Sequence, residues 1–321
     1  MRWAAAALAL FLAVVAEAEA APYIDSDSLL REHLWQQVRD LPAGERPKVG
    51  LVLSAGAVRG LAHIGVIHVL EDAGFPIDVV VGTSMGAVVG ALYAGGAGAG
   101  RLWEIGTSIR LNTGSDLGKF RLFQLLINDS LLSTKNMEAF LQASIGDKRF
   151  DQIPKPFACV AMDLRTGEKV VFRDGPLAPA VRASASVPGV FEPVQYRHRY
   201  LVDGGVIDYI PVDAAKLLGA EWILASVTEG DFSKSLPTNV LLSLMQVIDI
   251  RGAMLSRQQR READVLIEPD VGDIRSYDVD RIREAIEKGM EAAKRGIPEA
   301  KESLIIFSLP RLWKRWTRLE R

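Results

Sequence analysis

A chain of 321 residues with 49% hydrophobic and 24% charged side chains is of ordinary globular composition, with material for one large α/β domain or two smaller ones. Its net charge of −2 gives no reason to expect a nucleic-acid partner, and its single cysteine excludes an intrachain disulfide and any Cys-cluster metal site. That cysteine, Cys159, lies in the apolar run Phe157 to Ala161 and reads as a buried thiol. At the N-terminus, Arg2, an apolar run from Ala4 to Val15 and the small-x-small Ala18-Glu19-Ala20 read as a signal peptide over 1–20. The run is too short to span a bilayer, which favours the signal peptide; the competing reading is an uncleaved membrane anchor. The expectation is an exported protein, periplasmic or secreted.

The lead-in, 21–47, carries one amphipathic helix from Ser26 to Leu41, with Leu29, Leu30, Leu34 and Val38 at helical spacing, closed by Pro42 and Gly44. Lys48 to Leu53 then reads as a buried first strand. It runs directly into the small-residue loop Ser54-Ala55-Gly56-Ala57-Val58-Arg59-Gly60 and a helix from Leu61 to Leu70. Small residues between strand and helix let the backbone approach a ligand, and the first helical N–H groups are left free for negative charge. No Gly-Lys-Ser/Thr follows and the Gly-x-Gly-x-x-Gly spacing is absent, so the loop is neither a P-loop nor a dinucleotide fingerprint. An oxyanion hole and a plain tight turn remain.

Val79-Val80-Val81 stops at Gly82-Thr83-Ser84-Met85-Gly86, and small residues at helical spacing follow. This is how a buried strand turning sharply into a helix reads, with Ser84 at the apex and Gly82 and Gly86 relieving the crowding. Gly95 to Gly100 is a flexible loop. Phe120, Leu122, Phe123, Leu125, Leu126 and Ile127 suit either a core helix or a wall for an acyl chain. A helix from Leu132 to Ile145 (Ser133 as N-cap), strands at Phe157 to Met162 and Lys169 to Phe172, a helix from Pro211 to Leu218 and a strand from Trp222 to Val227 complete the pattern. Alternating short strands and helices predict a three-layer α/β/α sandwich with a mostly parallel sheet over 48–229.

A helical extension over 230–297 is expected to pack on the same domain. It comprises Val240 to Arg260, with Leu241, Leu244, Met245, Ile248 and Met254 on its apolar side, an edge strand at Val265 to Ile267, and Arg281 to Arg295 with Ile282, Ala285, Ile286, Gly289, Met290 and Ala293 in one stripe. The basic tail, 298–321, places Trp313 and Trp316 among arginines. It suits either peripheral contact with a membrane through 304–321 or a helix docking its tryptophans on the domain.

The loop Ser54 to Gly60 before Ala62-His63-Ile64-Gly65-Val66, the elbow Gly82 to Gly86, and Asp203-Gly204-Gly205 resemble the bacterial patatin-like phospholipases. Ala161 to Glu168 and Arg182 to Phe191 are similar to the segments that precede the family's aspartate, so the resemblance spans roughly Lys48 to Leu218. It implies a patatin-like fold, a lipid substrate and a Ser-Asp dyad. Ser84 would be the nucleophile and Asp203 its partner, and the N–H groups of Gly56, Ala57 and Val58 would form the oxyanion hole. Arg59, Gly60, Gly82, Gly86, Gly204 and Gly205 complete the motifs. In one respect the chain departs from the family: where three consecutive glycines are common, Ala55 and Ala57 flank Gly56.

The chemistry can be argued beside the resemblance. A serine hydroxyl needs a base in reach. Of the four histidines, His63 and His68 sit inside a helix, His33 lies on the lead-in helix, and His198 falls in a polar stretch; none follows the Ser, acid, His order. Asp-Gly-Gly alone reads as a turn, and the family order makes Asp203 the base. Burial would raise its carboxyl toward a useful range. Arg59 could orient the loop, meet a lipid phosphate or form a structural ion pair. The expectation is a serine lipid acyl hydrolase of phospholipid or another acyl ester, working through an acyl-Ser84 intermediate without metal or cofactor. The alternatives are an acyltransferase with the same dyad and a non-catalytic lipid-binding protein with a degenerate loop.

Overall fold

Parallel strands buried on both faces are built from unbroken apolar runs, and the runs at Val49–Leu53 (β1), Val79–Thr83 (β2) and Trp222–Ser226 (β7) are buried at every position. The computed structural model describes residues 26–108, 135–234, 236–238 and 240–319. The signal segment, the apolar group at 120–127 and Ser133 lie outside them. β3 (Phe157–Asp163), β4 (Lys169–Phe172), β5 (Val194–Tyr196), β6 (Arg199–Asp203) and β8 (Val265–Ile267) complete an eight-stranded sheet of order β5-β6-β3-β2-β1-β7-β8, with β4 also on β3. The central pairs are parallel, and those involving β4, β5 and β6 are antiparallel.

Alternate strand residues serve two cores. Leu51, Leu53, Val80, Cys159 and Leu224 face one side. There lie α1 (Ser26–Arg39), α2 (Ala62–Asp72), α3 (Met85–Ala94), α4 (Ala99–Ser108), α5 (Lys135–Ile145), α6 (Leu177–Ser184) and α9 (Ile282–Leu319). Val52, Val81, Ala158, Val160 and Ala225 face the other side, toward α7 (Val212–Leu217) and Leu255 of α8 (Val240–Gln259). This is the three-layer α/β/α sandwich. The segment from 230 onward belongs to it rather than being added to it, since β8 extends the same sheet and α9 covers its face.

Three elements depart from the periodicity reading. On α1, Trp35 and Val38 are buried while Leu29 and Leu30 are exposed, because Trp35 packs on Phe75 with tilted rings whose centroids are 4.9 Å apart. On α8, Met254 faces outward, on the far side from Met245, and Leu244 is also exposed, on the flank beside Ile248. The helix read as ending at Arg295 continues into the tail, and α9 runs as one helix through Pro298 and Pro310. Each proline removes a backbone donor and crowds the preceding turn, but burial of Ala300, Leu304 and Leu312 holds the helix on the domain. In the tail, Trp316 donates its Nε1–H to Gln37 (2.9 Å) while Trp313 is exposed. Among the described residues no helix is long and apolar enough to cross a membrane.

α9 crosses α2 at a reciprocal glycine contact. A Cβ on Gly65 would lie 2.0 Å from the Ile286 carbonyl oxygen, and one on Gly289 would lie 2.0 Å from that of Ala62. Alanine at a helical glycine gains about 1 kcal/mol in propensity, yet here it would have to push two backbones apart, at a cost of about 1–3 kcal/mol. We therefore expect Gly289→Ala to lower stability in urea denaturation. Unchanged or raised stability would show that the helices do not cross this closely.

Candidate active site

The register of β3 brings the site together. Thr83 at the end of β2 pairs with Val160, and Asp203 at the end of β6 pairs with Ala161. β2 runs parallel to β3 and β6 antiparallel, and both lie on the edge opposite β4, so their C-terminal ends meet head to head. Ser84 Oγ donates to Asp203 Oδ2 at 2.5 Å, and both side chains are buried. The other carboxylate oxygen, Oδ1, accepts the Gly205 N–H at 2.7 Å. Burial, the largest cause, pushes the Asp203 carboxyl up to about 7; the hydrogen bonds from Ser84 and Gly205 pull it down and the charge of Asp249 raises it.

Ser84 turns with φ 57 and ψ −123, a conformation costing an L-residue about 1–3 kcal/mol. The strain is on the serine itself; its flanking glycines are needed for space. A Cβ on Gly82 would lie 2.2 Å from the Gly86 carbonyl oxygen, and one on Gly86 would lie 2.4 Å from that of Leu53. Gly204 lies equally close to the Val160 carbonyl oxygen, and Gly60 packs against Met85.

The end of α6 and the residues just after it hold both partners, a role that sequence reasoning did not assign to them. Ser184 Oγ accepts the Ser84 N–H (3.1 Å) and donates to the Val160 carbonyl (2.6 Å). The Ser186 carbonyl accepts the Asp203 N–H at 2.9 Å. The only advance sign was the family-like run Arg182 to Phe191, which named no atom.

The loop after β1 faces the dyad. Ala55 donates its N–H to the Tyr209 carbonyl (3.0 Å), and its own carbonyl accepts from Ser54 and Thr228 hydroxyls at 2.8 and 3.1 Å. Tyr209 in turn donates its hydroxyl to the Thr228 carbonyl (2.7 Å). Gly56 must lack a side chain, since a Cβ would lie 2.2 Å from Thr228 Oγ1. Ala57 takes φ 48, in the left-handed region. Among the described residues no hydrogen bond engages the Gly56 or Ala57 N–H, whereas Val58 directs its N–H to the Ser276 carbonyl at 3.4 Å. Val58 thus serves the loop's anchorage, and two of the three expected oxyanion donors remain available.

Arg59 is buried and forms a structural ion pair, Nη2 to Asp249 at 3.0 Å, while Nη1 donates to the Ile274 carbonyl. Burial works against its charge and Asp249 more than compensates. His63 is buried, with Nε2 3.0 Å from the Ser54 carbonyl and Nδ1 2.8 Å from Ser226 Oγ. Burial lowers it to about 4, so it is a neutral core residue with both nitrogens engaged. His33 and His198 are exposed. A cavity of about 50 Å³, lined by Gly56, Ala57, Ser84, Val187, Asp203 and Met245 among others, lies over the dyad.

Two outcomes test this geometry. Because glycine tolerates the Ser84 backbone, Ser84→Gly should be more stable than Ser84→Ala by about 1 kcal/mol in chemical denaturation; equal stabilities would argue against a strained elbow. Ser184→Ala leaves the buried Ser84 N–H unpaired and should cost about 1–3 kcal/mol. It should also slow labelling of Ser84 by a fluorophosphonate, a loss that Ser184→Thr should partly restore.

Comparison with known proteins supplies the family. Residues 51–216, over half of the chain, match the model described as Patatin-like phospholipase. An uncharacterized NTE family protein of Mycobacterium tuberculosis is 36% identical over 57% of this chain and 50% of its own length. A second from that organism is 30% identical over 77% of this chain and 46% of its own. The lysophospholipase nte1 of Aspergillus fumigatus is 34% identical over 55% of this chain and 12% of its own. The chain therefore spans about half the length, or less, of these relatives. Among solved structures it is similar to VipD from Legionella pneumophila, with TM-score 0.48, 13% identity and coverage of 79% of this chain and 67% of that one. For human GIVD cytosolic phospholipase A2 the TM-score is 0.45, with 12% identity and coverage of 90% and 65%. With the family model matched across the strand, loop, elbow and aspartate that form this site, the chain belongs to the patatin-like phospholipase family.

Proposed function

We propose that this chain hydrolyses fatty-acyl esters of phospholipid or lysophospholipid by two-step acyl transfer. The observation that carries the reading is the 2.5 Å hydrogen bond from Ser84 to a buried carboxylate, beside two N–H groups with no protein acceptor. Asp203 takes the Ser84 proton as Oγ adds to the ester carbonyl. The Gly56 and Ala57 N–H dipoles receive the charge that develops on the carbonyl oxygen. Collapse of the tetrahedral intermediate expels the alcohol, which takes the proton from Asp203 and leaves the acyl-serine. Water, deprotonated by Asp203, then attacks the acyl-serine; Ser84 recovers its proton and the fatty acid leaves. Relatives named as lysophospholipase and phospholipase favour a lipid ester. Export through the N-terminal apolar run is part of the same reading.

Because Asp203 must be ionised to act, kcat/KM should rise with pH and be half-maximal near the carboxyl's value of about 7. At pH 5 it should be about 100-fold below its plateau. Release of fatty acid from phospholipid and lysophospholipid should fall at least about a thousandfold in Ser84→Ala and Asp203→Asn. Retention of activity by either variant would overturn the dyad, and a rate independent of pH between 5 and 8 would remove Asp203 as the base.

A further inference from the structure

Helix α8 has two apolar sides with different surroundings. Toward the protein, Met245, Ile248 and Asp249 close the cavity over Ser84 and Asp203. At about 50 Å³ that cavity is far below the roughly 300 Å³ or more of a typical small-molecule site. An acyl ester needs more room than this, and α8 supplies three of the side chains that take it up. Toward solvent, Val240 is 87% exposed and Val247 and Met254 are each 62% exposed, with Leu244 and Ile250 on the same side. These positions recur at helical spacing, so they form one stripe rather than scattered surface residues.

The charge on α8 points to what the stripe meets. Its only acidic residue, Asp249, is turned inward to Arg59. Arg251, between Val247 and Met254 on the outer side, is exposed, as is Arg257. Apolar residues flanked by cations, with no outward carboxylate, match the interfacial layer of an anionic lipid surface.

The attachments of the helix are also unequal. At its C-terminal end, Gln259 accepts the Ile210 N–H (2.9 Å) and donates to Asp208 (2.7 Å), while Gly252 packs against the Tyr209 ring. Toward the N-terminal half, Asp249 pairs with Arg59 (3.0 Å) and accepts from Ser276 Oγ (2.6 Å). The first set ties the helix to the connection between β6 and α7, and the second is a polar latch at the edge of the cavity.

We propose that the outward face of α8 is a docking surface for anionic lipid bilayers, and that docking releases the Asp249 latch and opens the dyad to ester in the membrane. The opening half of this proposal rests on the catalytic reading above; the docking half does not.

The test uses the full chain, vesicles of phosphatidylglycerol and phosphatidylcholine, and the double variant Val247→Asp/Met254→Asp, with Trp313→Ser on the tail as comparator. Vesicles should bind the wild type, speed fluorophosphonate labelling of Ser84 and support lipid hydrolysis. The double variant should lose binding and vesicle-stimulated labelling by about tenfold or more, while its hydrolysis of a monomeric short-chain ester stays within about twofold of wild type. Trp313→Ser should bind as wild type. Undiminished binding by the double variant, loss confined to Trp313→Ser, or a change in oligomeric mass without a change in vesicle binding would overturn the docking surface. Vesicle binding without faster labelling would overturn the opening. If no ester is hydrolysed, yet vesicles bind the wild type and not the double variant, the catalytic reading and the opening to ester fail and the docking surface stands.

Discussion

The site depends on one edge of one strand. β3 offers its edge first to β2, running with it, and then to β6, running against it, and the change occurs between Val160 and Ala161. Two chain directions therefore end at neighbouring ladder positions, and the residues at those ends, Ser84 and Asp203, are forced together. The Val160 carbonyl is the common point. It accepts the Ser184 hydroxyl that holds the elbow N–H, and it leaves no room for a Cβ on Gly204. A shift of a single residue in the β6 register would turn the aspartate to the opposite face of the sheet.

Burial then decides the chemistry. A carboxylate in water is too weak a base to activate serine, and removing Asp203 from water strengthens it without a histidine. The same burial acts in the opposite sense on His63, which is kept neutral and reduced to bracing the loop against β7. Arg59 lies in the loop but its charge is matched by Asp249, so it is not a free cation waiting at the site. In the proposed reaction, stabilisation of a developing oxyanion falls to backbone dipoles, which are fixed before the reaction begins.

How much of this was legible follows from how local each signal is. β1, the loop, the elbow and Asp203-Gly204-Gly205 are short contiguous patterns whose sterics can be read from residue types, and each lies where those patterns placed it. Ser184, Thr228 and Tyr209 were not legible as parts of the site. Their roles are single hydrogen bonds made across long sequence separations, and small polar residues occur everywhere. The continuity of α9 was hidden for a related reason. Pro298 and Pro310 are local breakers, whereas the packing that overrides them is tertiary. On α8 the periodicity was real but did not say which apolar stripe faces inward, because the helix carries two.

The alanines beside Gly56 depart from the three glycines common in the family, and the geometry explains why the loop accommodates both. Ala55 sits where its N–H is already committed to the Tyr209 carbonyl, so a methyl group there displaces no oxyanion donor. Gly56 is the position at which a Cβ would strike Thr228, and glycine stands there. Ala57 does bear a cost, because its φ of 48 lies in the left-handed region, disfavoured by about 1 kcal/mol for an alanine. That strain is small beside what holds the loop: the Tyr209 and Thr228 hydrogen bonds on one side and the Arg59–Asp249 pair on the other. Since the penalty falls on φ and not on the N–H, Ala57 can remain a donor, and the substitutions beside Gly56 do not by themselves make the site degenerate.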